Sequence, residues 1–351
     1  MAIAEKNIDD VVSEYVRLFP VYKSLANKVE SIVREVLNSS GASYYTISSR
    51  VKEIDSFSKK ARKEKYKNPI KDIKDLAGIR VITFVKSEVN QVCNILKPLF
   101  DIDHLHSVDK TKELGNDRVG YRSVHYVAQL TEERLRLPEY QIYKGMSFEI
   151  QVRTILEHAW ADISHDRNYK FSGVLPPEND IQRRFSLASA TLELVDREFD
   201  NLAKEINQYD SIVKTKVESD DFNIEINTTS LRNYLSLKFK IYIEKGLIEA
   251  SFQKASNKII EELSRYGIRT LAELDKELSD GIEKYIYAKT NFIGLLRDIM
   301  IINNIENYFS LAWENSWSAI DIESVQYFRR LKIPIDSYIK KYRLDVDTTK
   351  D

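Results

Sequence analysis

"FEIQVRTILEHAWADISHD" (148–166) changes its hydrophobic period part of the way along. In its first seven residues Phe148, Ile150 and Val152 alternate with Glu149, Gln151 and Arg153, the two-residue repeat of a strand with one apolar and one polar face. From Ile155 the repeat lengthens to that of a helix. A strand running into a helix is a building unit of a mixed α/β layer. Its polar row of acid, amide and guanidinium is the first candidate for chemistry.

Working outward, "LAGIRVITFV" (76–85) is rich in β-branched residues and predicts a buried strand, and "SEVNQVCNILKPLF" (87–100) alternates at helical period. "YRSVHYVAQL" (121–130) predicts a further strand, joined to the one at 147–154 by a polar loop. Upstream, residues 8–38 carry Val12, Tyr15, Leu25, Val29, Ile32 and Val36 at helical spacing, and Asn38-Ser39-Ser40-Gly41 ends that helix. The paired prolines of "VLPPEND" (174–180) mark a break, beyond which nearly everything repeats at helical period to about residue 340. The Asp-, Lys- and Ser-rich segment 211–226 is the best linker candidate. The fold class expected is therefore α+β: a mixed β-sheet domain flanked by helices over 1–210, then an all-helical region over 211–351.

Composition narrows the class. A length of 351 residues suggests about two domains, and 53 basic against 54 acidic residues argues against a polyanion-coating protein while leaving local patches open. The single Cys93 permits no disulfide within the chain, and the five histidines lack the paired spacing of a zinc site. No apolar run reaches membrane-spanning length and the N-terminus lacks a signal-peptide hydrophobic region, so the expectation is a soluble cytoplasmic protein with no membrane partner.

The densest charge lies in Arg50–Lys74, where ten Lys or Arg stand against four acids. Such a segment beside an α/β core attracts polyphosphate. For Lys63, Lys65 and Lys67, in a stretch with little apolar pattern, a solvated face is the simpler reading. Asp75 sits at the entry of the apolar strand, where a carboxylate either caps a turn or faces a crevice. With Glu149 it offers two acids from two strands of one sheet, the donor set that Mg²⁺ takes alongside substrate phosphates. No P-loop or kinase glycine loop is present, so side chains must hold any phosphates.

The order "SRVKEIDSFSKK", "DLAGIRV", "GYRSVHY", "EIQVRT" and then "HAWADISHD" resembles the synthetase domain of the RelA/SpoT family, specifically its small, single-activity alarmone synthetases, over roughly residues 45–170. The resemblance implies a nucleotidyltransferase-like GTP pyrophosphokinase of the stringent response. Such an enzyme moves the β,γ-diphosphate of ATP to the ribose 3′-hydroxyl of GDP or GTP, with Mg²⁺ as cofactor. It implies that Arg50, Lys52, Ser56, Lys59 and Lys60 grip ATP, and that Asp75 and Glu149 are the catalytic, metal-holding acids. It further implies that Tyr121 stacks on the guanine of the acceptor, with Ser123, His125, Gln151 and Arg153 lining its side of the cleft. Taken one at a time these residues have structural readings too: Tyr121 a core aromatic, His125 a buried histidine, Arg153 an ion-pair partner of Glu149.

The chain departs from the family before the Gly-Tyr pair, where "TKELGNDRVGYRS" lacks a Lys-Pro-x-Asn run, leaving Lys110, Lys112 and Arg118 to supply positive charge. Related proteins of this size transfer diphosphate to the 3′ end of tRNA or to adenine nucleotides, so the acceptor stays open, as does a nucleotide-binding sensor without catalysis. His158 and His165, seven apart on the helix after the strand, either order the Glu149 side or cap a packed helix. The C-terminal region reads as an accessory or homo-oligomerisation module. Its "YFRRLKIPIDSYIKKYR" (327–343) is better explained as a bundle helix with a cationic outer face than as an RNA-contacting surface. No hydrolase domain is expected ahead of the synthetase blocks, which begin near residue 45. Incubation with guanosine tetraphosphate and Mn²⁺ is accordingly expected to release no pyrophosphate.

Overall fold

The computed structural model describes residues 7–109, 123–170, 180–252, 256–279 and 281–348. They form two compact units, Met1–Lys204 and Glu205–Asp351.

The first unit opens with α1 (Ile8–Ser39), whose Asn7 side chain accepts the Asp9 N–H and whose chain leaves through Gly41 at φ +67°. Tyr15, Tyr22, Leu25, Ala26, Val29, Ile32, Val33 and Leu37 recur at three- and four-residue intervals and are all buried, so one stripe of α1 packs inward. Five strands follow, interspersed with helices: β1 (Thr46–Val51), α2 (Ile54–Ala61), β2 (Ala77–Thr83), α3 (Lys86–Leu96), β3 (Phe100–Asp109), β4 (Val124–Leu130), β5 (Phe148–Thr154) and α4 (Ile155–Lys170). The sheet order is β1-β2-β5-β4-β3, with β2 and β5 parallel and the other pairs antiparallel. A mixed five-stranded sheet is the α+β layer expected of this half.

Two strands escaped the periodicity reading. β1 lies in what reads as the start of the basic stretch, and β3 in "FDIDHLHSVD". Among the described residues both are sheet edges, where one flank of the strand pairs with no further strand and polar residues such as Ser48, Asp101 and His104 carry no core signal. β2, in the interior of the sheet, is buried at nearly every position, which is why its sequence is apolar but for Arg80 and Thr83.

The alternation gives the sheet two unlike faces. Ile47, Ala77, Ile79, Val81, Phe148, Ile150 and Val152 belong to one buried core with the inner stripe of α1 and with Val89, Val92 and Leu96 of α3. The other face carries the polar residues described below. Near its edge, the Tyr15 ring stacks on Phe57 of α2 at 4.0 Å, and the Tyr15 hydroxyl donates to the Lys52 carbonyl at 2.6 Å. The Lys52 N–H in turn donates to the Leu76 carbonyl at 2.9 Å. These contacts fasten the β1–α2 connection to the start of β2.

After "VLPPEND", most of which lies outside the described residues, α5 (Ile181–Glu218) begins. Its Asp196 accepts the Thr154 hydroxyl at 2.8 Å and its Asp200 the Ser87 N–H at 2.6 Å, both at the ends of core elements. The two units divide inside this helix, as does the boundary read at 210/211. The segment 211–226, expected as a linker, is helical as far as Glu218, because Val213 and Val217, one turn apart, are buried in the second unit's core.

The second unit is mostly helical, and two short parallel pairings, Ile248–Glu249 with Thr290–Asn291 and Ala319–Asp321 with Asp345–Asp347, correct the all-helical expectation. In its basic-aromatic segment Tyr327 stacks on Tyr287 at 4.0 Å, and Tyr338 and Tyr342 lie 5.0 and 5.4 Å from Phe309, so these rings serve packing. Arg329 pairs with Asp336 at 2.6 Å. Among the described residues, no helix is long and apolar enough to cross a membrane.

Because Phe57 is fully buried beneath α2, Phe57→Ala is expected to lower stability by about 3–5 kcal/mol, read as an earlier urea midpoint.

Candidate active site

Strand register assembles the polar face. Arg50 of β1 lies opposite Gly78 of β2, Gly78 opposite Glu149 of β5, and Glu149 opposite Val127 of β4. One step along, Ser48, Arg80, Gln151 and His125 form the next row. Gly78 thus separates a guanidinium from a carboxylate without a side chain of its own. A Cβ there would meet the Arg50 side chain at 3.5 Å, so anything larger than Ala would crowd the floor between them.

Asp75 sits in the turn before β2, with Lys52 Nζ 2.7 Å from Oδ2 and Lys60 Nζ 2.9 Å from Oδ1. The first lysine comes from the end of β1 and the second from α2, the two elements fastened by Tyr15 and Phe57. Burial alone raises the Asp75 carboxyl, but the bonds and charge of Lys52, then of Lys60, outweigh it and hold the group below the usual carboxylate range.

Glu149 is held differently. His125 Nδ1 lies 2.7 Å from Oε1 and the Gln151 amide donates to Oε2 at 2.7 Å, while the other His125 nitrogen lies 2.6 Å from the Ser123 hydroxyl. Burial again pushes the carboxyl up, and His125 and Gln151 more than offset it, so Glu149 too sits below the usual range. Three residues expected on the acceptor side, Ser123, His125 and Gln151, therefore form the setting of Glu149 itself.

Arg153 takes another route. Its side chain, 4% exposed, meets Nδ1 of His158 at 2.8 Å and Asp162 at 3.5 Å on α4, and no bond to Glu149 is seen among the described residues. Burial and the neighbouring guanidinium lower the His158 imidazole. His158 thus belongs to the Arg153 cluster and His125 is the histidine on Glu149; the side chain of His165 lies outside the described residues, as do Tyr121, Lys110, Lys112 and Arg118.

Asp75 and Glu149 line one cleft of about 640 Å³, with Lys60, Lys65, Tyr66, Lys67, Asp72, Lys74, His106 and Val127 around it. Lys65 and Lys67 are thus cleft residues, although their local sequence suggests only a solvated face; Lys60 and Lys65 stand 5.9 and 5.0 Å from the Tyr66 ring. Arg50 lines a neighbouring hollow of about 210 Å³ with Ser48, Gly78, Arg80 and Gln151. Arg80 was not singled out from sequence, where it reads as an interruption in an apolar strand; that interruption was the available signal. Ser56 and Lys59 lie on the exposed side of α2.

Two ionised carboxylates in one cation-walled cleft suit a hard divalent ion that is shared with phosphate. Among the described residues no group of three or more His, Cys, Asp or Glu is placed to hold a metal alone, so the remaining ligands would be water or substrate.

Comparison with known proteins agrees with this geometry at the level of class. The model of the region found in RelA/SpoT proteins matches residues 49–174. GTP pyrophosphokinase YjbM of Bacillus subtilis (strain 168) is 28% identical over 166 residues, 46% of this chain and 73% of that protein. GTP pyrophosphokinase YwaC of the same strain is 29% identical over 134 residues, 37% of this chain and 60% of its own. Among solved structures, small alarmone synthetase 1 from Bacillus subtilis bound to its product pppGpp superposes with a TM-score of 0.46 at 24% identity, covering 55% of this chain and 98% of that one. Residues 49–174 thus match the RelA/SpoT synthetase region, the N-terminal half is similar to small alarmone synthetases, and the remainder is mostly helical.

Both acids have depressed pKa values, so each adds stability above the ordinary carboxylate range and loses it as the pH falls through its depressed value. Between about pH 5 and about pH 3 the urea midpoint is expected to fall, and to fall less steeply in Asp75→Asn, which has no such proton to take up.

Proposed function

We propose that the chain is an ATP:GTP/GDP 3′-pyrophosphotransferase that makes guanosine penta- and tetraphosphate. The observation that carries this reading is the convergence of Asp75 and Glu149 on one cleft walled by lysines. The bond between the α-phosphate oxygen and the β-phosphorus of ATP breaks, a bond from the acceptor's 3′-oxygen to that phosphorus forms, and AMP leaves as the hydroxyl proton is released.

Arg50 and Arg80 border a hollow beside the main cleft, and guanidinium planes suit the faces of an aromatic base, so this hollow is where adenine would rest. Lys52 and Lys60, at the cleft's acid, are placed to meet the phosphates, and Lys65, Lys67 and Lys74 extend the positive wall. Mg²⁺, when bound by Asp75 and Glu149, would neutralise charge on the transferring diphosphate. Glu149 is fixed by His125 and Gln151 and is a weak base, so its task is to receive and aim the acceptor hydroxyl as the proton departs. Arg153, braced by His158 and Asp162, would keep the far end of that row rigid.

An assay with γ-³²P-ATP and Mg²⁺, offering GDP, GTP, ATP and deacylated tRNA separately, is expected to label GDP and GTP. Label in tRNA alone would sink the guanosine assignment. Asp75→Asn and Glu149→Gln are each expected to lower transfer on the order of a hundredfold or more, with full transfer retained in either removing that residue from the mechanism.

A further inference from the structure

We propose that Lys52 and Lys60 form a cation lock on Asp75, so that a divalent metal joins this acid only once a nucleoside triphosphate has drawn both ammonium groups onto its phosphates. This rests on the reading of the cleft as an ATP site.

The lock is visible in the geometry. Each Asp75 oxygen carries one ammonium, at 2.7 and 2.9 Å, and the three side chains are only 14% (Lys52), 31% (Lys60) and 20% (Asp75) exposed. Solvent therefore screens these charges poorly. A carboxylate has about four lone-pair sites, so lone pairs are not what keeps a metal out. Charge is: a dication reaching Asp75 would sit beside two ammonium groups already there. Glu149 carries no ammonium group, its bonds being to an imidazole, His125, and an amide, Gln151. Hence the two acids differ in readiness, and Asp75 is the one that must be released.

A triphosphate supplies the release. It offers several anionic oxygens to ammonium groups that carry three donor protons each, and Lys60 already lines the cleft it would enter. Once the lysines bond to phosphate, Asp75 is left ionised and unneutralised, and the metal replaces them. Each ammonium group has an anionic acceptor before and after. The same contacts make a second demand: in the absence of metal, Asp75 competes with the nucleotide for both lysines.

Binding of a non-transferable analogue, α,β-methylene ATP, to the full chain in EDTA tests that competition without turnover. Asp75→Asn is expected to bind it roughly tenfold tighter than the unchanged protein, although transfer is lost. In parallel, Mn²⁺ alone is expected to bind the Lys52→Gln/Lys60→Gln protein roughly tenfold tighter than the unchanged protein, followed by electron paramagnetic resonance of free Mn²⁺. Equal or weaker analogue binding by Asp75→Asn overturns the lock, and so does Mn²⁺ binding by the unchanged protein as tight as that of the double variant. An analogue that binds no form, with or without Mg²⁺, overturns the ATP reading and the lock together. One that binds with Mg²⁺ but shows no gain in Asp75→Asn overturns the lock alone.

Discussion

The parallel pairing of β2 with β5 is the constraint on which the site depends, because it sets Gly78 opposite Glu149 and Arg80 opposite Gln151. Side chains alternate strictly along a strand, so a slip of one residue would send Glu149, Gln151 and Arg153 into the core and Ile150 and Val152 onto the cleft floor. Such a slip is opposed by the full apolar face, where Ile79, Val81, Ile150 and Val152 are buried together with the stripe of α1. The core thereby specifies the site: the same alternation that buries one row presents the other.

Around that floor the protein has assembled two carboxylates by unlike means. Asp75 is compensated by full charges from Lys52 and Lys60, and Glu149 by directed bonds from His125 and Gln151. Both remain ionised despite burial, yet one is neutralised by groups that a phosphate can take away and the other by groups rooted in the adjoining strand and its own. The aromatic contacts of Tyr15 with Phe57 and the backbone bonds of Lys52 keep the two lysines at the right height above the sheet. Core packing and active-site charge are in this sense one structure.

The second unit has a core of its own, built with aromatic stacks and a buried ion pair in which Arg297 donates twice to Glu262 at 2.9 and 2.6 Å. Its basic-aromatic segment shows why composition alone misleads: the interleaving of Tyr with Lys and Arg is what a nucleic-acid surface presents, but here the rings of Tyr327, Tyr338 and Tyr342 stack on Tyr287 and Phe309. A ring engaged with the protein's own core is not offered to a base.

What the sequence by itself determined is what local periodicity records: α1, the buried strand at 77–83, the strand at 148–154 with its polar row, and the helix after it. Those features survive because a side chain's exposure repeats with the backbone's own period. The edge strands β1 and β3 were illegible, since half of an edge strand's surroundings is water and its polar residues resemble a loop. Tertiary structure alone decided that Lys65 and Lys67 line the cleft, that Arg153 turns to His158 and Asp162, and that His125 and Gln151 hold Glu149. His125 is 24 residues from Glu149 in the chain, and Asp75 is 23 from Lys52. Partners that far apart are chosen by strand pairing and burial, which no short-range pattern in the sequence encodes.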